Sequence, residues 1–129
     1  MAKERLGSNA QFSSTGTLTV TEKCAYAYSK LSTIADTNEH VLMQFQTGKY
    51  ILKGHVTFYR QSWEAEDIRW YVKFNGIKVL DFIGGANPPM GEWRHLIIPP
   101  LSDVVFYADK QEHTDASKIG VNFTGEVYL

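Results

Sequence analysis

Apolar and polar residues alternate with a period of two from Leu18 almost to the carboxyl end. Such alternation sends successive side chains to opposite faces of an extended chain, so each run predicts a strand with one face toward a core. Leu18 and Val20 alternate with threonines, and Tyr26 and Tyr28 alternate with Ala25 and Ala27. Val41, Met43 and Phe45 alternate with His40, Leu42 and Gln44. After a turn at Thr47-Gly48, the phase Tyr50, Leu52, Gly54, Val56, Phe58 opposes Ile51, Lys53, His55, Thr57, Tyr59. Ile68, Trp70, Val72 and Phe74 form the cleanest run, and Asn75-Gly76 follows at once. That dipeptide predicts a two-residue hairpin, because both turn positions need positive φ. Ile77–Ile83 is the return strand, and further strands are expected near Trp93–Ile98 and Val104–Asp109, around Pro99-Pro100. The last run sets Ile119, Val121, Phe123, Gly125, Val127 and Leu129 on one face.

No segment carries the helical period of about 3.6 residues. Roughly nine short strands without helices predict an antiparallel all-β sandwich or barrel. Residues 1–16 are polar and rich in Gly and Ser, so they read as an arm preceding one domain over 17–129. Leu6 and Phe12 are the apolar anchors such an arm offers for docking.

A length of 129 residues suits a single domain. The aromatic share of 13% favours strands. A net charge of −1, with no run of Lys or Arg, removes the basic footprint that nucleic-acid binding requires. No window approaches the ~20 apolar residues of a membrane span, and the amino end lacks the apolar core of a signal peptide, so no membrane association is expected. Cys24 is the only cysteine, so neither an internal disulfide nor a multi-cysteine metal site is expected, and it reads as a half-buried strand residue. One reduced thiol fits synthesis in a cytoplasm.

Candidate chemistry is sparse. His40, His55, His95 and His113 have no close spacing, so no metal and no cofactor are expected. His55 shares a phase with Lys53 and Thr57, which predicts a solvent-facing position. Glu64, Glu66 and Asp67 fall in a loop between two strands and read as solvated rather than catalytic. No nucleophile motif is present, so no catalytic residue is assigned. Trp70 lies on a core phase, whereas Trp63 and Trp93 stand at strand or loop ends, where they can stack on a glycan or pack against a partner.

A regular two-residue hairpin pairs Tyr71 with Leu80 and Arg69 with Phe82. This gathers Tyr71, Leu80 and Phe82 on the face opposite Trp70 and Val72. With Ile51 and Tyr59 on the non-core phase of another strand, these residues predict a subunit interface, unless residues 1–16 or a long loop cover the hairpin face.

Several short motifs carry a resemblance. Phe45-x-x-Gly48-x-Tyr50 leads into a strand containing Gly54, followed by Phe74-Asn75-Gly76, Ile97-Ile98-Pro99-Pro100, and the closing Val121–Tyr128. Together they resemble small jelly-roll virion structural proteins of tailed phages and other viruses, of the head-decoration or fibre type. The last strand is also similar to that of tumour-necrosis-factor-like and C1q-like trimer heads. The resemblance implies a jelly-roll sandwich without enzymatic activity that forms a homotrimer. It further implies docking on a major capsid or other virion protein, with synthesis in the host cytoplasm and a final place in the virion. A lectin-like module that binds a carbohydrate or a receptor is the alternative.

Overall fold

The structure, a computed structural model, describes residues 3–4, 18–34, 36–60, 68–84, 92–110 and 117–129. Eleven strands follow in order: β1 (Lys3–Glu4), β2 (Thr19–Thr21), β3 (Cys24–Tyr28), β4 (Ser32–Ile34), β5 (His40–Gln46), β6 (Ile51–Arg60), β7 (Ile68–Phe74), β8 (Ile77–Gly84), β9 (Glu92–Ile98), β10 (Asp103–Lys110) and β11 (Ser117–Tyr128). They form two antiparallel sheets. The seven-stranded sheet runs β1-β2-β3-β11-β6-β9, with β4 beside β11, and the four-stranded sheet runs β5-β10-β7-β8. The pairings are nested: β7 with β8, β6 with β9, β5 with β10, and β3 and β4 with β11. From β4 onward each connection crosses between the sheets, except the β7–β8 hairpin.

The expected all-β sandwich is therefore what forms, and aromatic side chains join its layers. Phe58 of the larger sheet lies 5.1 Å from Trp70 and 5.2 Å from Phe82 of the smaller, ring centre to ring centre. Phe45 touches Phe106 within its own sheet and Phe123 across the gap, at 5.9 and 6.2 Å. Such offset and tilted pairs add about 0.5–1.5 kcal/mol each beyond the area they bury. At one margin the Arg94 guanidinium sits 4.2 Å from the Phe82 ring centre, bridging edge strands β9 and β8.

The turn at Asn75-Gly76 adopts φ of 51° and 83°, as the dipeptide predicts. Two β-bulges alter the faces that simple alternation assigns. In β8 the pairing steps from Lys73 with Lys78 to Val72 with Leu80, so Val79 is an extra residue. Trp70 then pairs with Phe82 and Tyr71 with Asp81. Leu80 and Phe82 consequently pack against the core, and the expected grouping of Tyr71, Leu80 and Phe82 on one outward face does not exist. In β5 the step falls between Met43 and Val41, so Leu42 is the extra residue. Leu42 and Met43 are both buried, while Val41 turns outward against expectation. Among the described residues, strands β5 and β8 are the two edges of the smaller sheet, where no outer neighbour enforces the ladder and a bulge is tolerated.

Candidate functional site

The two outward faces differ in chemistry. On the four-stranded sheet, Tyr71 and Tyr107 stack at 5.0 Å with their planes 12° apart. Lys78 and Lys73 lie over these rings at 4.7 and 5.0 Å from the centres of Tyr71 and Tyr107. Arg69 donates to both carboxylate oxygens of Asp81 at 3.0 and 2.8 Å, and Lys78 joins them at 3.1 Å. These bonds hold Asp81 near pKa about 2, below the ordinary carboxylate range. Tyr71 donates its hydroxyl to Glu39; burial first, then this bond, raise its pKa above that of free tyrosine. Paired charge surrounds the two tyrosines, as on a solvated face, and Val41 and Ile83 are exposed on the edge strands beside it.

The outward face of the seven-stranded sheet is different. Inward positions Ala25 and Ala27 are 1% exposed, which turns Tyr26 and Tyr28 out, 45% and 62% exposed. Their rings lie 6.4 Å apart and within 8° of parallel. Thr124 pairs with Tyr26 on one side and His55 on the other, and His55 pairs with His95. One row therefore runs Thr19, Tyr26, Thr124, His55, His95 across five strands. The next row aligns Tyr28, Asn122, Thr57 and Trp93. Neither row contains a side chain of fixed charge. Charges flank them on one side, where Lys53 pairs with Glu126 and Tyr128 donates to Glu126 at 2.7 Å. Exposed Ile97 opposite Lys53 extends the apolar component.

Of the residues expected at an interface, Ile51 and Tyr59 lie on this face of β6, each half-buried. Tyr71 belongs to the opposite sheet and is buried, and Leu80 and Phe82 are partly buried and pack against the core. Trp93 aligns with Thr57 in register, although its side chain lies outside the described residues, as do Trp63, Leu6 and Phe12. Cys24 is exposed rather than half-buried, because β3 turns its cysteine phase outward with the tyrosines. Sequence reasoning overlooked Tyr26, Tyr28 and the meeting of His55 with His95. The inward alanines were the available signal for the tyrosines, while the histidine pairing depends on which strands become neighbours.

A second feature occupies one end of the sandwich. Thr47 donates to the Pro99 carbonyl at 3.1 Å and accepts from the Ser102 amide at 3.0 Å, tying two inter-sheet turns together. A cavity of about 310 Å³ opens beside them, lined by Gln46, Gly48, Asn75, Leu101, Ser102 and Asp103. Leu101 stands at φ 58°, with its amide bound to the Gly48 carbonyl and its side chain 76% exposed.

Comparison with known proteins found no matching family and no curated relative.

Proposed function

We propose that this chain is a non-enzymatic structural protein of a virus particle, a decoration or fibre-tip module that self-associates through the outward face of its seven-stranded sheet. The observation that carries the self-association is the contrast between the two faces. One is densely charged and internally paired, whereas the other sets tyrosines, threonines, asparagine and histidines in uncharged central rows. Interface cores are depleted of charge and enriched in tyrosine, with charges confined to the rim. Lys53 and Glu126 stand in the rim position. The nested pairing of β7–β8, β6–β9, β5–β10 and β3–β11 supports a jelly-roll reading of the sandwich. With the resemblance to jelly-roll virion proteins and trimer heads, it makes a homotrimer the expected assembly.

Light scattering on the purified protein at micromolar concentration tests the association. A multiple of the 14.6 kDa chain is expected, reverting to one chain in Tyr28→Glu. A monomer at all concentrations, or an oligomer indifferent to Tyr28→Glu and Thr124→Glu, overturns it. Finding the chain among the proteins of purified particles tests the virion role.

The parallel, exposed rings of Tyr26 and Tyr28 favour a second reading, in which this face binds a saccharide by stacking. A glycan array, with Tyr26→Ala as control, separates that reading from self-association.

A further inference from the structure

We infer that His55 and His95 together form a binding site for one divalent transition-metal ion of the kind that prefers imidazole, such as Zn²⁺, Ni²⁺ or Cu²⁺. The two residues are far apart in sequence, but the β6–β9 register sets them directly opposite each other on neighbouring strands. Both are exposed on the outward face of the sheet. Their rings meet edge-on, with centres 6.4 Å apart and planes at 86°.

That spacing is close to what chelation requires. A metal–nitrogen bond of about 2.0–2.1 Å puts each imidazole centre about 3.2 Å from the ion. Two such ligands at a tetrahedral angle then have centres about 5.2 Å apart, and at a wider angle they stand farther apart. The rings therefore need to approach by about 1 Å, which small side-chain rotations at two exposed positions provide. Strand pairing fixes the backbone beneath both residues, so the ordering entropy of the site is low for a two-ligand chelate. Thr124 flanks His55 on the far side. Among the described residues no carboxylate stands in this row to make the site suit a hard, oxygen-preferring cation such as Mg²⁺ or Ca²⁺.

Two imidazoles leave the remaining coordination positions pointing away from the sheet, where water or a donor from a docked molecule completes the sphere. Both ligands come from a single chain, and their row is also the centre of the proposed association face, so an associated copy covers the site that a lone chain leaves open. Among the described residues no group of three or more histidine, cysteine or carboxylate ligands converges, so a structural site that holds the fold together is a different matter from this one.

Zinc chloride titrated into the full chain near neutral pH, followed by calorimetry and by NMR of the histidine ring protons, tests the assignment. One ion per chain is expected, with the His55 and His95 ring signals moving together and those of His40 unmoved. His55→Gln and His95→Gln should each weaken binding by about tenfold or more, since losing a ligand costs at least as much as losing a group that merely supports one. Circular dichroism of both variants should match the parent, since each position is exposed. Absence of binding up to about 1 mM zinc, at the weak end of measurable affinity, overturns the proposal. So does binding that moves only one of the two rings, or that is unchanged in both variants. The same titration on Tyr28→Glu, in which the face is open, keeps this outcome distinct from that of self-association, and the absence that overturns the proposal is absence in both proteins.

Discussion

Gly54 and Gly125 face each other in the register of β6 and β11, and each is a glycine for steric reasons. A Cβ on Gly54 would lie 2.1 Å from the Thr124 carbonyl oxygen, and one on Gly125 would lie 2.7 Å from that of Lys53. The obstacles are backbone atoms of a central strand pair, which cannot rotate away. Gly54→Ala should therefore destabilise the protein by more than the ~1–3 kcal/mol usual for overpacking, measured by urea unfolding, while Gly76→Asn at the open turn costs far less. Tyr71 makes a second residue-scale case. Its pKa is raised, chiefly by burial and by donation to Glu39, so its contribution is fully present below the free-tyrosine pKa of about 10 and is lost as pH rises beyond it. Tyr71→Phe should be less stable than the parent by ~1–2 kcal/mol near neutral pH. The two melting curves should converge above pH ~10, since only the parent has this phenol to ionise. Alternation flagged Gly54 as an inward position and Tyr71 as an outward one, but the packing that gives each its effect comes from strands distant in sequence.

The β7–β8 hairpin shows where element-scale reading holds and where it fails. Asn75-Gly76 identified the turn because few residue pairs accept two consecutive positive φ angles. The pairing beyond it depends on one residue, since the side-chain period is two and a single insertion exchanges the faces. Val79 is that insertion, and it sends Leu80 and Phe82 into the core beside Val72 and Trp70. Deleting Val79 restores a regular two-residue hairpin while preserving the pairings of Leu80 with Val72 and Phe82 with Trp70. The deletion should therefore fold, with the Phe82 ring still against Phe58, whereas Phe82→Ala should lose an appreciable part of the ~3–5 kcal/mol typical of a fully buried phenylalanine. Thermal melting of both variants checks this, and a deletion as damaging as Phe82→Ala would contradict the register argument. The bulge in β5, which turns Val41 out and Leu42 in, has the same logic.

Across the whole molecule, nested pairing makes most contacts long-range: β11 at the carboxyl end pairs with β3, β4 and β6. Loop closure must precede those contacts, so folding in milliseconds to seconds, observable by stopped-flow fluorescence of the tryptophans, is expected. The amino-terminal segment enters this network through a two-residue ladder, Lys3 with Thr21 and Glu4 with Val20, among the described residues. Leu18 and Val20, by contrast, are core residues. A chain beginning at Thr17 should keep the sandwich and its cooperative melt. A chain beginning at Lys23, which lacks both core residues, should be markedly less stable.

The two-residue period, the scarcity of helical patterning and the Asn75-Gly76 turn determined an antiparallel all-β protein from the sequence alone, along with most of its core. These are local properties, written in consecutive residues. Which strands became neighbours was decided only by the tertiary structure, because pairing partners such as β6 and β9 are chosen by closure of the whole sandwich. That choice made a cross-strand pair of His55 and His95, residues whose separation in sequence hid any relation. It also placed the stacked tyrosines of one sheet face under paired charges and left those of the other exposed in uncharged rows, the contrast on which the proposed interface rests. Alternation assigns a residue to a face, but only the assembled sheets give that face its neighbours.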